Sequence, residues 1–138
     1  MFVWAISQQF ANQSIARKMA DKKMTAKVFF EKMKSLEDNP ELVFELQMTN
    51  QFKKSIDLSY ARNLDLKLLY EVVELLAQNK ILPEKYRRHQ LKGQYTGVWE
   101  CHIKPDWLLM WTEDLDKLVL LFLNTATHAD FMGKRRNR

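Results

Sequence analysis

An unbroken apolar run, Leu118-Val119-Leu120-Leu121-Phe122-Leu123, follows a polar turn at Glu113 to Asp116. The run is far shorter than the roughly 20 residues of a membrane-spanning helix. Its length and β-compatible residues instead predict a central strand, covered on one side by helices in an α+β layering. The segment before the turn, about Trp107 to Thr112, supplies an antiparallel neighbour, and about Gly97 to Ile103 supplies the next one. Alternation along that first long strand puts Val98, Glu100 and His102 on one face and Trp99, Cys101 and Ile103 on the other. Cys101 is therefore expected to pack inward and His102 to point away from the core.

Upstream, Asp65 is placed to cap a helix in which Leu66, Leu69, Val73 and Leu76 share a face and Glu71, Glu74 and Gln78 lie opposite. That helix ends before Pro83. Val43 to Thr49 alternates as a strand, and Gln51-Phe52-Lys53-Lys54-Ser55 begins another helix. Residues 15–36 space apolar side chains helically, with Thr25 able to cap a second segment before Asn39-Pro40. A boundary near residue 41 separates a helical N-terminal extension, residues 1–41, from a domain at residues 42–138.

With 138 residues and 46% apolar content the chain supports one core plus an appendage. The excess of 22 Lys and Arg over 17 Asp and Glu, net +5, favours a polyanionic partner such as nucleic acid. One cysteine rules out an intramolecular disulfide framework. The apolar opening Met1 to Ile6 is too short, and lacks the basic leader, for a secretion signal. The expectation is a cytoplasmic protein with no membrane partner.

All three histidines, His89, His102 and His128, fall in the C-terminal part of the chain, with Asp106 and the cations Lys85, Arg87, Arg88 and Lys92. Cutting RNA without a metal requires a base for the 2′-hydroxyl proton, an acid for the leaving 5′-oxygen, and positive charge at the phosphorane. Histidine can fill any of these roles near neutral pH. A lone histidine in a sheet is more often structural, and a basic loop or the Lys134-Arg135-Arg136-Asn137-Arg138 tail is as often merely solvated. Their clustering is what points to chemistry. Three His and an Asp also form a donor set for a metal, but the spacing fits no compact metal motif. No Gly-rich phosphate loop, Ser elbow or paired Cys is present, and an inward Cys101 makes a poor nucleophile.

Three blocks carry a more specific signal: Leu82-Pro83-Glu84-Lys85-Tyr86-Arg87-Arg88-His89-Gln90-Leu91-Lys92-Gly93, then Gly97 to Leu109, then Thr127-His128-Ala129-Asp130-Phe131. Over about residues 42–133 the chain resembles the YafQ branch of the RelE-type toxins of bacterial toxin–antitoxin systems. The resemblance implies a microbial-ribonuclease-like fold, with two helices on a twisted antiparallel sheet of about four strands. It also implies cleavage of messenger RNA on the ribosome, restraint by a cognate antitoxin protein, and no cofactor. By matching position, His89, His102, Asp106 and His128 are the expected active-site residues. His102 and His128 form the proton-transfer pair, Asp106 orients, and His89 lies at the phosphate or serves as an alternative base. Lys85, Arg87, Arg88, Lys92 and Phe131 are the expected RNA contacts.

Three departures stand out. Trp99 and Asn124 occupy positions where the family usually has Arg, and Met132 takes the usual terminal aromatic position unless Phe131 substitutes. Losing one electrostatic contact to a transition state costs about 10²- to 10³-fold in rate. An alternative reading is therefore a catalytically weakened relative that acts as an RNA- or antitoxin-binding regulator. Residues 1–41 hold seven basic and five acidic residues. That balance disfavours an electrostatic plug on a basic site and leaves a hydrophobic contact through Phe29, Phe30 and Met33, a helical extension, or sequence upstream of the true start.

Overall fold

A computed structural model of the chain describes residues 23–127; the part of the expected helical stretch that precedes residue 23, and His128, Phe131 and Met132, lie outside them. Helix α1 spans Ala26–Leu36, capped by the Thr25 side chain, which accepts from the Val28 N–H. Strand β1 is Glu45–Met48. Helix α2, Asn50–Ala61, is capped by Thr49. Helix α3, Leu66–Ala77, is capped by Asp65, as its sequence predicts. A 3-10 turn at Glu84–Tyr86 leads into strand β2, His89–Gln90, and a second 3-10 turn at Gly93–Tyr95 leads into β3, Trp99–Lys104. Strands β4, Trp107–Asp114, and β5, Val119–Thr127, complete the fold.

The strands form one five-stranded sheet in the order β1-β5-β4-β3-β2. It is mixed, not purely antiparallel: β1 runs parallel to β5, while every other pair is antiparallel. The fifth strand, β2, is two polar residues long, too short for any periodicity to reveal. The turn between β4 and β5 also falls slightly later than Glu113 to Asp116. The Asp114 carboxylate accepts from the Asp116 and Lys117 N–H groups, and Leu118 adopts a left-handed φ of 54°.

Helices α2 and α3 cover one face of the sheet. Phe52 stacks on Phe122 at 5.5 Å between centroids, and the Thr49 hydroxyl donates to the Leu123 carbonyl at 2.7 Å. Those two contacts tie the start of α2 to β5. Cys101, Leu109, Trp111, Leu120 and Phe122 share the core with Leu69, Val72 and Val73, so Cys101 faces inward as alternation requires. Helix α1 belongs to that same core through Phe29, Met33 and Leu36. Phe29 meets Tyr70 of α3 edge-on at 6.2 Å. The Lys23 ammonium donates to the Tyr60 carbonyl and to Asn63 Oδ1 at the C-terminal end of α2, where a cation complements the helix dipole.

Candidate active site

The register of the short β2–β3 pairing sets His89 opposite Glu100, and strand alternation puts His102 on the same face as Glu100. The His89 and His102 rings lie 6.2 Å apart, centroid to centroid, tilted by 31°. His89 Nδ1 is 2.7 Å from the Arg87 carbonyl oxygen. A carbonyl only accepts, so Nδ1 carries the proton. A carboxylate likewise only accepts, so the 3.3 Å contact of Nε2 with Glu100 Oε1 is an ion pair when the ring carries a proton on both nitrogens. His102 Nδ1 sits 3.3 Å from the Pro105 carbonyl, which favours the tautomer with Nε2 as the proton-accepting nitrogen. Arg87 supplies its carbonyl from a left-handed backbone, φ 50°, a conformation that side-chain-bearing residues adopt at a cost and that concentrates at functional loops.

The expected RNA contacts divide into two groups. Lys85, Arg87 and Lys92 are exposed, Lys85 with its ammonium 5.0 Å over the Tyr86 ring. Arg88 is instead committed to protein partners, 2.6 Å from Glu113 Oε1 and 4.1 Å over Trp99. Asp106 is exposed between β3 and β4, beyond His102. Asn124 accepts from the Ser55 hydroxyl at 2.6 Å and from the Thr125 N–H at 2.9 Å. Where Arg would offer a cation, this position pins α2 to β5. His128 and Phe131 lie outside the described residues.

Glu100 and Glu113 are the two site residues that sequence reasoning left unassigned. Glu100 was detectable, since alternation already groups it with His102. Glu113 was not, because its contact with Arg88 depends on the sheet order. Cys101, the thiol behind this face, is fully buried. Burial first, and then the Glu100 charge, pushes it up to about 12, which leaves it protonated and unreactive near neutral pH. Among the described residues no group of three or more His, Cys, Asp or Glu is arranged to hold a metal ion.

The sequence and the fold match those of known proteins. The family described as "Bacterial toxin of type II toxin-antitoxin system, YafQ" matches residues 44–133. The mRNA interferase toxin YafQ of Escherichia coli K12 is 34% identical over 90 residues, which make up 64% of this chain and 96% of that protein. The crystal structure of YafQ from E. coli BL21(DE3) superposes with a TM-score of 0.61 at 30% identity, covering 65% of this chain and 99% of that one. A chain of the crystal structure of the E. coli DinJ–YafQ toxin–antitoxin complex gives the same TM-score, 0.61, at 30% identity over 67% of this chain and 100% of that one. The chain belongs to the YafQ family of bacterial toxins of type II toxin–antitoxin systems.

Proposed function

We propose that this protein is a metal-independent endoribonuclease that cuts messenger RNA on the ribosome, and that a cognate antitoxin protein holds it in check in the cytoplasm. The observation that carries the reading is the meeting of His89, Glu100 and His102 on one face of the sheet. His102, with Nδ1–H tied to the Pro105 carbonyl, presents Nε2 to take the ribose 2′-hydroxyl proton. The 2′-oxygen attacks the scissile phosphorus in line, and His128 protonates the departing 5′-oxygen. The products are a 2′,3′-cyclic phosphate and a 5′-hydroxyl. His89, oriented by Arg87 and Glu100, contributes charge beside the phosphorane, and Asp106 supports the orientation of His102. Lys85, Arg87 and Lys92 hold the flanking phosphates, and Phe131 contacts the RNA from the C-terminal segment.

Primer extension on a reporter messenger in a translating extract tests this. The parent protein is expected to cut within translated codons, with cutting reduced about 10²-fold or more by His102→Ala or His128→Ala and unaffected by chelator. A parent that leaves the messenger intact would sink the ribonuclease reading.

A second reading has two observations in its favour: Arg88 is engaged by Glu113 and Trp99, and Asn124 by Ser55. On that reading the protein is a weakened relative that binds RNA or antitoxin as a regulator. Trp99→Arg combined with Asn124→Arg would then raise cutting by at least about 10²-fold, the scale of one electrostatic contact to the transition state. No gain would count against weakening.

A further inference from the structure

Beside His102 the sheet edge opens into a groove of about 520 Å³, whose apolar walls the reaction scheme above gives no role. Its walls are apolar, formed by Leu68 of α3, Ile103 of β3, Tyr86 and Pro105. Its rim is cationic, formed by Lys85, Arg87 and Lys104, all three exposed. Among the described residues no carboxylate lines it. The volume falls within the range of about 300–1,000 Å³ typical of small-ligand sites. An apolar slot with cations at its mouth complements a nucleotide, whose flat base prefers the walls and whose phosphate prefers the rim. Two residues link the groove to the chemistry. His102 is one of its walls, and Arg87, on its rim, gives its carbonyl to His89 Nδ1 at 2.7 Å.

We infer that this groove is a nucleotide subsite, which seats the base of the RNA residue flanking the scissile phosphate while Lys85, Arg87 and Lys104 hold its phosphate. The inference rests on the ribonuclease reading and adds to it the residues that select sequence: Leu68 and Tyr86 for the base, Lys104 for the phosphate. A base held against His102 fixes which phosphate reaches the Nε2 nitrogen, so the groove sets both the preference and the register of the cut.

The test maps cut positions along the same reporter messenger in translating extract for the full-length parent, Leu68→Trp and Lys104→Ser. The parent should show a base preference at one nucleotide adjoining its cuts. Leu68→Trp fills the groove, and is expected to flatten that preference and lower cutting about tenfold, within the range that one base-stacking contact contributes. Lys104→Ser, at an exposed position with little bearing on folding, should lower cutting several-fold at every site and keep the preference. Should Leu68→Trp also lower the melting temperature, Lys104→Ser and the parent's own preference decide. A parent that cuts without base preference would overturn the subsite alone. So would variants that reproduce the parent's pattern and rates, or a uniform loss in Leu68→Trp with preference intact. A parent that does not cut at all would overturn the ribonuclease reading, and the subsite would fall with it.

Discussion

The guanidinium of Arg88 lies 4.1 Å from the centre of the Trp99 ring and 2.6 Å from Glu113 Oε1. Trp99 in turn stacks on buried Trp111 at 6.5 Å and 15°, and the Trp111 indole N–H donates to the same Glu113 oxygen at 3.1 Å. An arginine held by a carboxylate and an aromatic face has its charge answered within the protein and offers little to a phosphate.

Glu113→Gln keeps the acceptor for Trp111 and removes the charge that holds Arg88. The variant is expected to bind single-stranded RNA more tightly at low salt. Its log K against log salt should steepen by about 0.7, the increment for one more phosphate contact on a single strand. Anisotropy titrations at several salt concentrations check this, and an unchanged slope would show that Arg88 stays on Trp99 without Glu113.

Much of this architecture was legible in the chain because it rests on local rules. Asp65 and Thr25 cap helices as their positions predict, and alternation placed Cys101 inside and His102 outside. What was hidden depends on partners distant in sequence. Nothing in Val43 to Thr49 tells whether the strand runs parallel or antiparallel to its neighbour, since β1 pairs with β5 only through register. His89–Gln90 is a strand solely because Glu100 and Trp99 lie opposite. Arg88 reads as a phosphate ligand in sequence because Glu113, across the sheet, is invisible from its neighbours.

Phe29 is fully buried against Phe52 and Tyr70, so α1 fills space that α2 and α3 would otherwise expose. Phe29→Ala is expected to lower stability by about 3–5 kcal/mol, as for other buried Phe truncations. Deleting residues 1–41 should cost at least as much. Denaturant unfolding of both variants measures it. A truncated protein as stable as the parent would show that α1 contributes nothing to the core.

Burial holds the Cys101 thiol up at about 12, so the native protein carries almost no thiolate at pH 8. A thiol-reactive disulfide reagent should modify the folded chain at least about 10²-fold more slowly than the chain in denaturant, where an ordinary thiol near 8.5 is partly ionised. The direction of linkage follows from the same shift. The unfolded thiol loses its proton at lower pH than the folded one, so stability falls as pH rises past about 9. Cys101→Ala should show a shallower alkaline loss than the parent. Equal slopes would place the thiol in a more polar setting than its burial indicates.

A single hydroxyl ties β5 to the strand beside the histidine-bearing β3. Thr125 Oγ1 accepts from the Trp107 indole N–H at 2.8 Å and donates to the Leu108 carbonyl at 2.7 Å, and Thr125 and Trp107 are each 1% exposed. Valine keeps the shape and removes both bonds, leaving a buried indole N–H without its acceptor. Thr125→Val is expected to lower stability by about 1–3 kcal/mol, the cost of an unsatisfied buried donor, whereas Thr125→Ser keeps the hydroxyl. Because Trp107 begins β4 immediately after Asp106, the valine variant should also loosen the β3–β4 turn that carries the Pro105 carbonyl. His102 would then lose the partner that sets its tautomer, and cutting should fall in step with stability. Paired denaturant and cleavage measurements on the two variants decide it. Valine matching serine in both would mean that the sheet positions His102 without this hydroxyl.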